Sequence, residues 1–140
     1  MLDAGPIVSV LLDDEAAAEV AAAIANEEAI VSVVNVGEVL DVLLRVHRVP
    51  RDAALEAVGR FLDEVARAVP ATREIAEWAA ELRARHYHRR DRDVSLADCF
   101  VVATASAGDA VATSDSAVAR VATLEGIEVV ALPNPRGRRP

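Results

Sequence analysis

Short runs of β-branched and aliphatic residues alternate with segments of helical periodicity along this chain, and that alternation is what most limits its possible folds. The predicted strands are Met1–Asp3, Ala29–Val33, Ala66–Val69, Val111–Thr113 and Gly126–Leu132. The predicted helices are Pro6–Leu12, Asp14–Asn26, Asn35–His47, Pro50–Val65, a long helix from Thr72 that fades into Arg83–Asp93, Ser95–Ala107 and Ser116–Thr123. Strands separated by helices predict an α/β fold with a mainly parallel sheet covered on both faces.

The composition predicts an aliphatic core in a single domain. Apolar residues make up 53% of the 140 residues but aromatic residues only 3%, so the core must be packed mainly with Ala, Val, Leu and Ile. This favours helices on buried strands over an aromatic-rich β-sandwich. We expect one domain over residues 1–132, followed by a mobile Pro/Arg-rich tail over residues 133–140. The alternative for Arg136, Arg138 and Arg139 is contact with RNA or with an acidic partner.

Several features favour a cytoplasmic location. No apolar run is long enough to span a bilayer, and the acid that follows Met1–Leu2 argues against a secretory signal, so no membrane partner is expected. Cys99 is the only cysteine, which excludes an internal disulfide and agrees with a reducing compartment; we expect it in the core.

The charge pattern excludes several classes of function. A formal charge of −8 argues against a protein that holds nucleic acid by bulk electrostatics, but not against one that acts through a metal centre. All 15 basic residues are arginine. Without lysine the chain cannot be a P-loop NTPase or a Schiff-base enzyme.

Four acidic residues lie where apolar stretches end or pass into helices: Asp3, Glu38, Asp98 and Asp115. In a parallel sheet the functional crevice lies beyond the carboxyl ends of the strands, so these acids are expected to converge there. Because buried unpaired carboxylates are costly, their convergence implies a compensating cation. Oxygen ligands without cysteine or histidine suit a hard ion, Mg²⁺ or Mn²⁺.

The motifs around these acids are Leu2–Pro6, Asn35–Leu40, Ser95–Asp98 and Ala112–Asp115. In order and spacing they resemble a PIN-domain ribonuclease, most closely the VapC-type toxins of bacterial toxin–antitoxin pairs. The resemblance implies a three-layer α/β/α fold, Mg²⁺- or Mn²⁺-dependent cleavage of an RNA substrate, a homodimer, and inhibition by a small cognate antitoxin.

The resemblance also implies that the four acids bind the metal and are catalytic. We assign Asp3 and Asp98 as central ligands, Glu38 as a ligand or water-orienting base, and Asp115 as a ligand to a second ion. Family members usually have a longer apolar strand before the first acid, whereas Met1 and Leu2 alone precede Asp3 here. Either the start codon is placed late or the first strand is unusually short.

Supporting roles are predicted for several neighbouring residues. Thr113 and Ser116 could orient a water or a carboxylate, and Asn35 could touch phosphate or cap its helix, with the cap preferred. A basic strip includes three arginines predicted to contact RNA: Arg89, Arg90 and Arg92. The alternative to RNA contact is that this strip is a solvated helix end, where cations are favourable by themselves. Trp78 is predicted in the core, and its alternative is a hydrophobic groove for an antitoxin helix. The segments Leu40–Val46 and Phe61–Val65 are equal candidates for that groove.

Three functions remain in competition. The leading one is a metal-dependent endoribonuclease acting as a toxin, which the short chain favours. The second is a housekeeping PIN nuclease in RNA processing. The third is a non-catalytic module whose acids bind a basic partner, against which the complete set of four acids counts.

Overall fold

The structure is a computed structural model that describes residues 1–25, 27–88, 93–105 and 108–140. The helices are α1 (Ala4–Leu12), α2 (Ala17–Ile24), α3 (Val33–Asp41), α4 (Arg51–Glu64), α5 (Arg73–His86), α6 (Leu96–Thr104) and α7 (Ser116–Leu124). The strands are β1 (Ala29–Ser32), β2 (Ala66–Val69), β3 (Ala110–Thr113) and β4 (Glu128–Ala131). Two predicted helix ends, at Asn26 and Ala107, lie outside the described residues.

A single residue, Leu2, joins two pairs of parallel strands into one sheet. Strand β1 pairs with β2, β3 pairs with β4, and Leu2 forms parallel bridges to Val31 of β1 and Ala112 of β3. The Leu2 amide donates to the Ile30 carbonyl at 2.7 Å, and the Asp3 amide donates to the Ala112 carbonyl at 3.1 Å. The first strand is therefore very short, yet hydrogen bonds on both sides hold Asp3 in register.

Alternation along the strands divides the core into two halves. Leu2 and Val31 belong to one buried cluster, whereas Met1, Ile30 and Val111 belong to or pack against the other. Helices α1, α2 and α4 contribute to the first cluster, and α5, α6 and α7 contribute to the second. Since successive side chains of a strand point to opposite faces, the molecule is a three-layer α/β/α sandwich, as predicted.

Helix α3 begins earlier than the sequence predicted, and its cap is a different residue. Ser32, in extended conformation, caps the helix through its hydroxyl, which accepts from the Val34 amide at 3.4 Å. Asn35 is already inside the helix, so the prediction that it caps α3 is wrong. The helix then widens into a π-helical stretch over Val42–Val46. Serine and asparagine are about equally good N-caps, so the sequence alone does not say which of the two begins the helix; that depends on where the backbone leaves the strand.

Cys99 and Trp78 were both predicted to lie in the core, and the structure places only one of them there. Cys99 is fully buried, as expected, and burial raises the pKa of its thiol to about 11, which keeps it protonated. Trp78 is 37% exposed, so its predicted core position is wrong. Helix α5 buries Ala79 and Leu82 instead, and the Arg85 guanidinium lies 4.9 Å from the centre of the Trp78 ring. Within the described ranges, no helix combines the length and apolarity needed to cross a bilayer.

Candidate metal centre

Three of the four predicted acids meet at the carboxyl edge of the sheet. Asp3, Glu38 and Asp98 each offer a carboxylate oxygen, and these oxygens all lie within 4.8 Å of one another. Asp115 is not part of this trio but lines the same cleft. The parallel topology brings Asp3, Glu38 and Asp115 there, because Leu2, β1 and β3 all end at this edge and run directly into α1, α3 and the loop before α7. Asp98 comes from the first turn of α6.

Asp3 is held by hydrogen bonds to both of its oxygens. It caps α1, with Oδ1 accepting from the Ala4 amide at 2.7 Å. Its Oδ2 accepts from the Thr113 hydroxyl at 2.6 Å, and the Thr113 oxygen accepts in turn from the Asp115 amide at 2.9 Å. The Asp3 side chain is therefore fixed in a single orientation, and Thr113 links it to the loop that carries Asp115.

Asp98 is positioned by the start of its own helix. Ser95 and Asp98 form a capping box: Asp98 Oδ2 accepts from the Ser95 amide at 2.6 Å, and the Ser95 hydroxyl accepts from the Asp98 amide at 3.0 Å. The capping box thus orients the Asp98 carboxylate, which offers one oxygen to the acidic trio.

Glu38 lies in the second turn of α3 and is oriented by Asn35. The Asn35 amide nitrogen donates to Glu38 Oε2 at 3.0 Å and to the carbonyl of Ala97 in α6 at 3.3 Å. Asn35 is fully buried, so its side chain offers no surface to a phosphate. Its Oδ1 has no partner within the described part of the chain. Asn35 therefore joins α3 to α6 next to Asp98 rather than capping a helix.

The three carboxylates are poorly solvated and repel one another. The pKa of Asp3 is raised to about 7, mainly by burial and to a smaller extent by the charges of Asp98 and Glu38, against the hydrogen bonds from Thr113 and Ala4. Burial also raises the pKa values of Glu38 and Asp98. The charge of Asp115 raises both further, and the charge of Asp98 adds to the shift of Glu38. These carboxylate oxygens have no positive charge beside them among the described residues that line the cleft, and oxygen ligands are those that a hard divalent ion prefers. The three residues therefore fit a site for such an ion.

The other predicted site residues are distributed differently. Ser116 is the first residue of α7 and exposed, and it is not among the described residues that line the cleft. Arg89, Arg90 and Arg92 lie outside the described residues, so their predicted RNA contact is untested.

Three cleft residues were missed by sequence reasoning: Ser9, Ser114 and Asn134. Ser114 stands between Thr113 and Asp115, and this position in the motif could have signalled it. Asn134 follows the last strand, whose carboxyl end was predicted at this same edge. The sequence gives no indication of Ser9, because a single serine within an apolar helix usually has no functional role.

Comparison with known families supplies the identity of the domain. The PIN domain profile matches residues 1–124, which is most of the chain. The chain belongs to the PIN-domain family. PIN domains are generally nucleases and typically use divalent metal ions, in agreement with the acidic trio. A search of curated proteins finds no match to this PIN domain.

Proposed function

We propose that this PIN domain is a metal-dependent endoribonuclease in which Asp3, Glu38 and Asp98 hold Mg²⁺ or Mn²⁺. The observation that supports it is the approach of the three carboxylates to within 4.8 Å of one another at the carboxyl edge of the sheet. The hydrogen-bond donors around the trio are uncharged hydroxyl and amide groups, which orient the carboxylates without neutralising their charge. No cation of the described residues lines the cleft, so within that part of the chain no positive side chain offsets the negative charge there.

The proposed chemistry assigns a task to each side chain. A bound divalent ion supplies an activated water at neutral pH and offsets charge that develops on phosphate oxygens. Asp3 and Asp98 act as the fixed ligands, because hydrogen bonds hold both carboxylates. Glu38 is only half-buried, and with Oε2 held by Asn35 its other oxygen can orient or deprotonate the attacking water. Asp115, at the exposed rim, is assigned to a second ion.

The finer proposal is that the nuclease is a VapC-type toxin that forms a homodimer and is inhibited by a small antitoxin. Its support is the order and spacing of the four acidic motifs. A groove between α1 and α4, lined by Val10, Leu11, Phe61 and Val65 together with charged residues of α4, offers both the apolar and the charged contacts that an amphipathic antitoxin helix would use. Induction should then arrest growth in the absence of the antitoxin, whereas harmless strong expression would favour a housekeeping role.

The decisive experiment is incubation of total cellular RNA with the purified protein in Mg²⁺, in Mn²⁺ and in chelator, with product ends mapped. We expect discrete cuts that chelator abolishes. Asp98→Asn should lose them while staying folded, because the amide carbonyl can still accept from the Ser95 amide. Asp63→Asn removes the same charge from the exposed surface of α4 and should cleave normally. Full cleavage by Asp98→Asn would contradict the proposed centre.

A further inference from the structure

The C-terminal tail leaves the sheet at the edge that carries the acidic cleft. Strand β4 runs parallel to β3, and the Leu132 amide extends their ladder by donating to the Thr113 carbonyl at 2.9 Å. Leu132 and Pro133 are buried, and the next two residues, Asn134 and Pro135, line the cleft together with the acids. The parallel pairing thus delivers the arginine-rich tail to the mouth of the candidate site.

Residues Asn134–Arg138 form a closed turn, defined here as the tail turn. Asn134 Oδ1 accepts from the amides of Arg136 at 2.9 Å and Arg138 at 3.1 Å. The Asn134 amide donates to the Arg138 carbonyl at 2.8 Å, and Gly137 takes a left-handed φ of 70° that suits glycine. Both arginines contribute only backbone groups to these bonds, so the turn does not use their guanidinium groups.

The arginine side chains of the tail divide into an anchor and two unpaired cations. Arg139 reaches back to the Ala131 carbonyl and to Glu19 of α2. Arg136 and Arg138 are exposed, and their guanidinium groups make no hydrogen bond or ion pair with any residue the structure describes. Many other described arginines are already paired with acids of their own surroundings, such as Arg45 with Asp41.

An acidic protein that binds a polyanion needs positive charge close to the binding site. The chain carries a net charge of −8, and no arginine is among the described residues that line the cleft. A nucleic-acid strand entering the cleft would meet carboxylates first unless cations at the rim offset them. Arg136 and Arg138 are the unpaired cations that the described tail brings next to that rim, and a guanidinium group can bind a phosphate through two parallel hydrogen bonds.

We propose that the tail turn is a binding element for the RNA backbone, in which Arg136 and Arg138 contact phosphates beside the bond that is cut. This inference rests on the proposed nuclease function and adds the residues that hold its substrate. Asn134 is a positioning residue, since it fixes the turn without offering charge.

The test measures binding apart from cleavage. Both the parent and the tail variant carry Asp98→Asn, so that a labelled single-stranded oligouridylate stays intact, and its affinity is followed by fluorescence anisotropy over a range of salt concentrations. Arg136→Ala/Arg138→Ala should weaken binding and reduce the slope of log K against log salt by about 1.4, or about 0.7 for each lost phosphate contact. Arg51→Ala/Arg60→Ala removes the same charge from α4 and should leave the slope unchanged.

A second variant tests the turn itself. Asn134→Ala keeps both arginines but removes the acceptor that closes the turn, and we expect an affinity between those of the parent and the double variant. Wild-type affinity in Asn134→Ala would overturn the positioning role. A double variant that binds RNA like its α4 control would overturn the proposal.

Two other outcomes would reassign the tail. Loss of binding to poly-glutamate with unchanged RNA binding would make it a contact for an acidic protein. Faster RNA cleavage by Arg136→Ala/Arg138→Ala in the otherwise unaltered chain would make it an obstruction of the cleft. Failure of the unaltered protein to cleave RNA would count against the proposed nuclease alone, because the anisotropy measurement does not depend on cleavage.

Discussion

The Thr113 hydroxyl donates a 2.6 Å hydrogen bond to Oδ2 of Asp3, although 110 positions separate the two residues in the sequence. The same hydroxyl oxygen accepts from the Asp115 amide at 2.9 Å. Thr113 therefore connects the short first strand, the end of β3 and the rim of the cleft. A threonine at the last position of a buried strand acts here as the support of a buried carboxylate.

Thr113→Val should weaken metal binding and destabilise the metal-free protein. Valine matches the shape of threonine but leaves Asp3 Oδ2 without its donor and the Asp115 amide without its acceptor, at a cost of about 1–3 kcal/mol in the free energy of unfolding. Urea denaturation and Mn²⁺ titration would measure both effects. Thr123→Val is the matched control, because the Thr123 hydroxyl donates to the Ala119 carbonyl on an exposed helix face. Equal effects of the two substitutions would contradict the role of Thr113.

The stability of the metal-free protein should fall as the pH rises through neutrality. Burial raises the pKa of Asp3 to about 7, above its ordinary value of 3.8, so the folded state favours the neutral acid. The stabilisation from a neutral Asp3 is complete below the unfolded pKa and is lost as the pH rises through the folded pKa. Between about pH 5.5 and pH 8 the loss should be about 2 kcal/mol.

Asp3→Asn provides the control for this pH dependence. Chemical denaturation in chelator should show the decline in the unaltered protein and a flatter profile in the variant, whose amide does not ionise. Mn²⁺ should bind the unaltered protein more tightly at the higher pH, because a carboxylate must lose its proton to coordinate the ion. Parallel profiles for the two proteins would contradict the assignment to Asp3.

Asn35→Asp should reduce both stability and cleavage despite its nearly identical shape. The carboxylate cannot donate to Glu38 Oε2 or to the Ala97 carbonyl, and it adds a charge beside the acidic trio. We expect a loss of about 1–3 kcal/mol in the free energy of unfolding near neutral pH. Thermal melting with and without Mn²⁺ would measure it. A variant that matched the unaltered protein in both conditions would show that the amide donor is dispensable.

Two glycines in helices should respond oppositely to alanine. Gly37→Ala in α3 should stabilise the protein by about 0.5–1 kcal/mol, because alanine favours a helix and its Cβ would meet nothing within 4 Å. Gly5→Ala in α1 places its Cβ 2.9 Å from the Ser114 hydroxyl, which must rotate within the cleft. We expect little gain in stability there and reduced cleavage. Denaturation and RNA cleavage assays would separate the two effects, and equal stabilisation by both would contradict this contact.

Much of the fold could be predicted because it depends on local periodicity. Alternating strand and helix patterns predicted the parallel sheet. The acids at strand ends and helix starts predicted convergence at one edge, since parallel strands end together. The profile match and the acidic trio agree with this reasoning. Helix starts were less certain: Ser32 and Asn35 are both good caps, and the choice between them depends on where the buried strand releases the chain.

The sequence by itself determined the order of strands and helices, the acidic character of their junctions and the absence of lysine. Only the tertiary structure decided that Asp3, Glu38 and Asp98 form the close trio while Asp115 stays at the rim. It also decided that Asn35 binds α6 across 62 positions. The physical reason is the same in each case. Helical and strand preferences act between near neighbours in the chain, whereas side-chain hydrogen bonds and burial depend on which distant residues the packed sheet brings into contact.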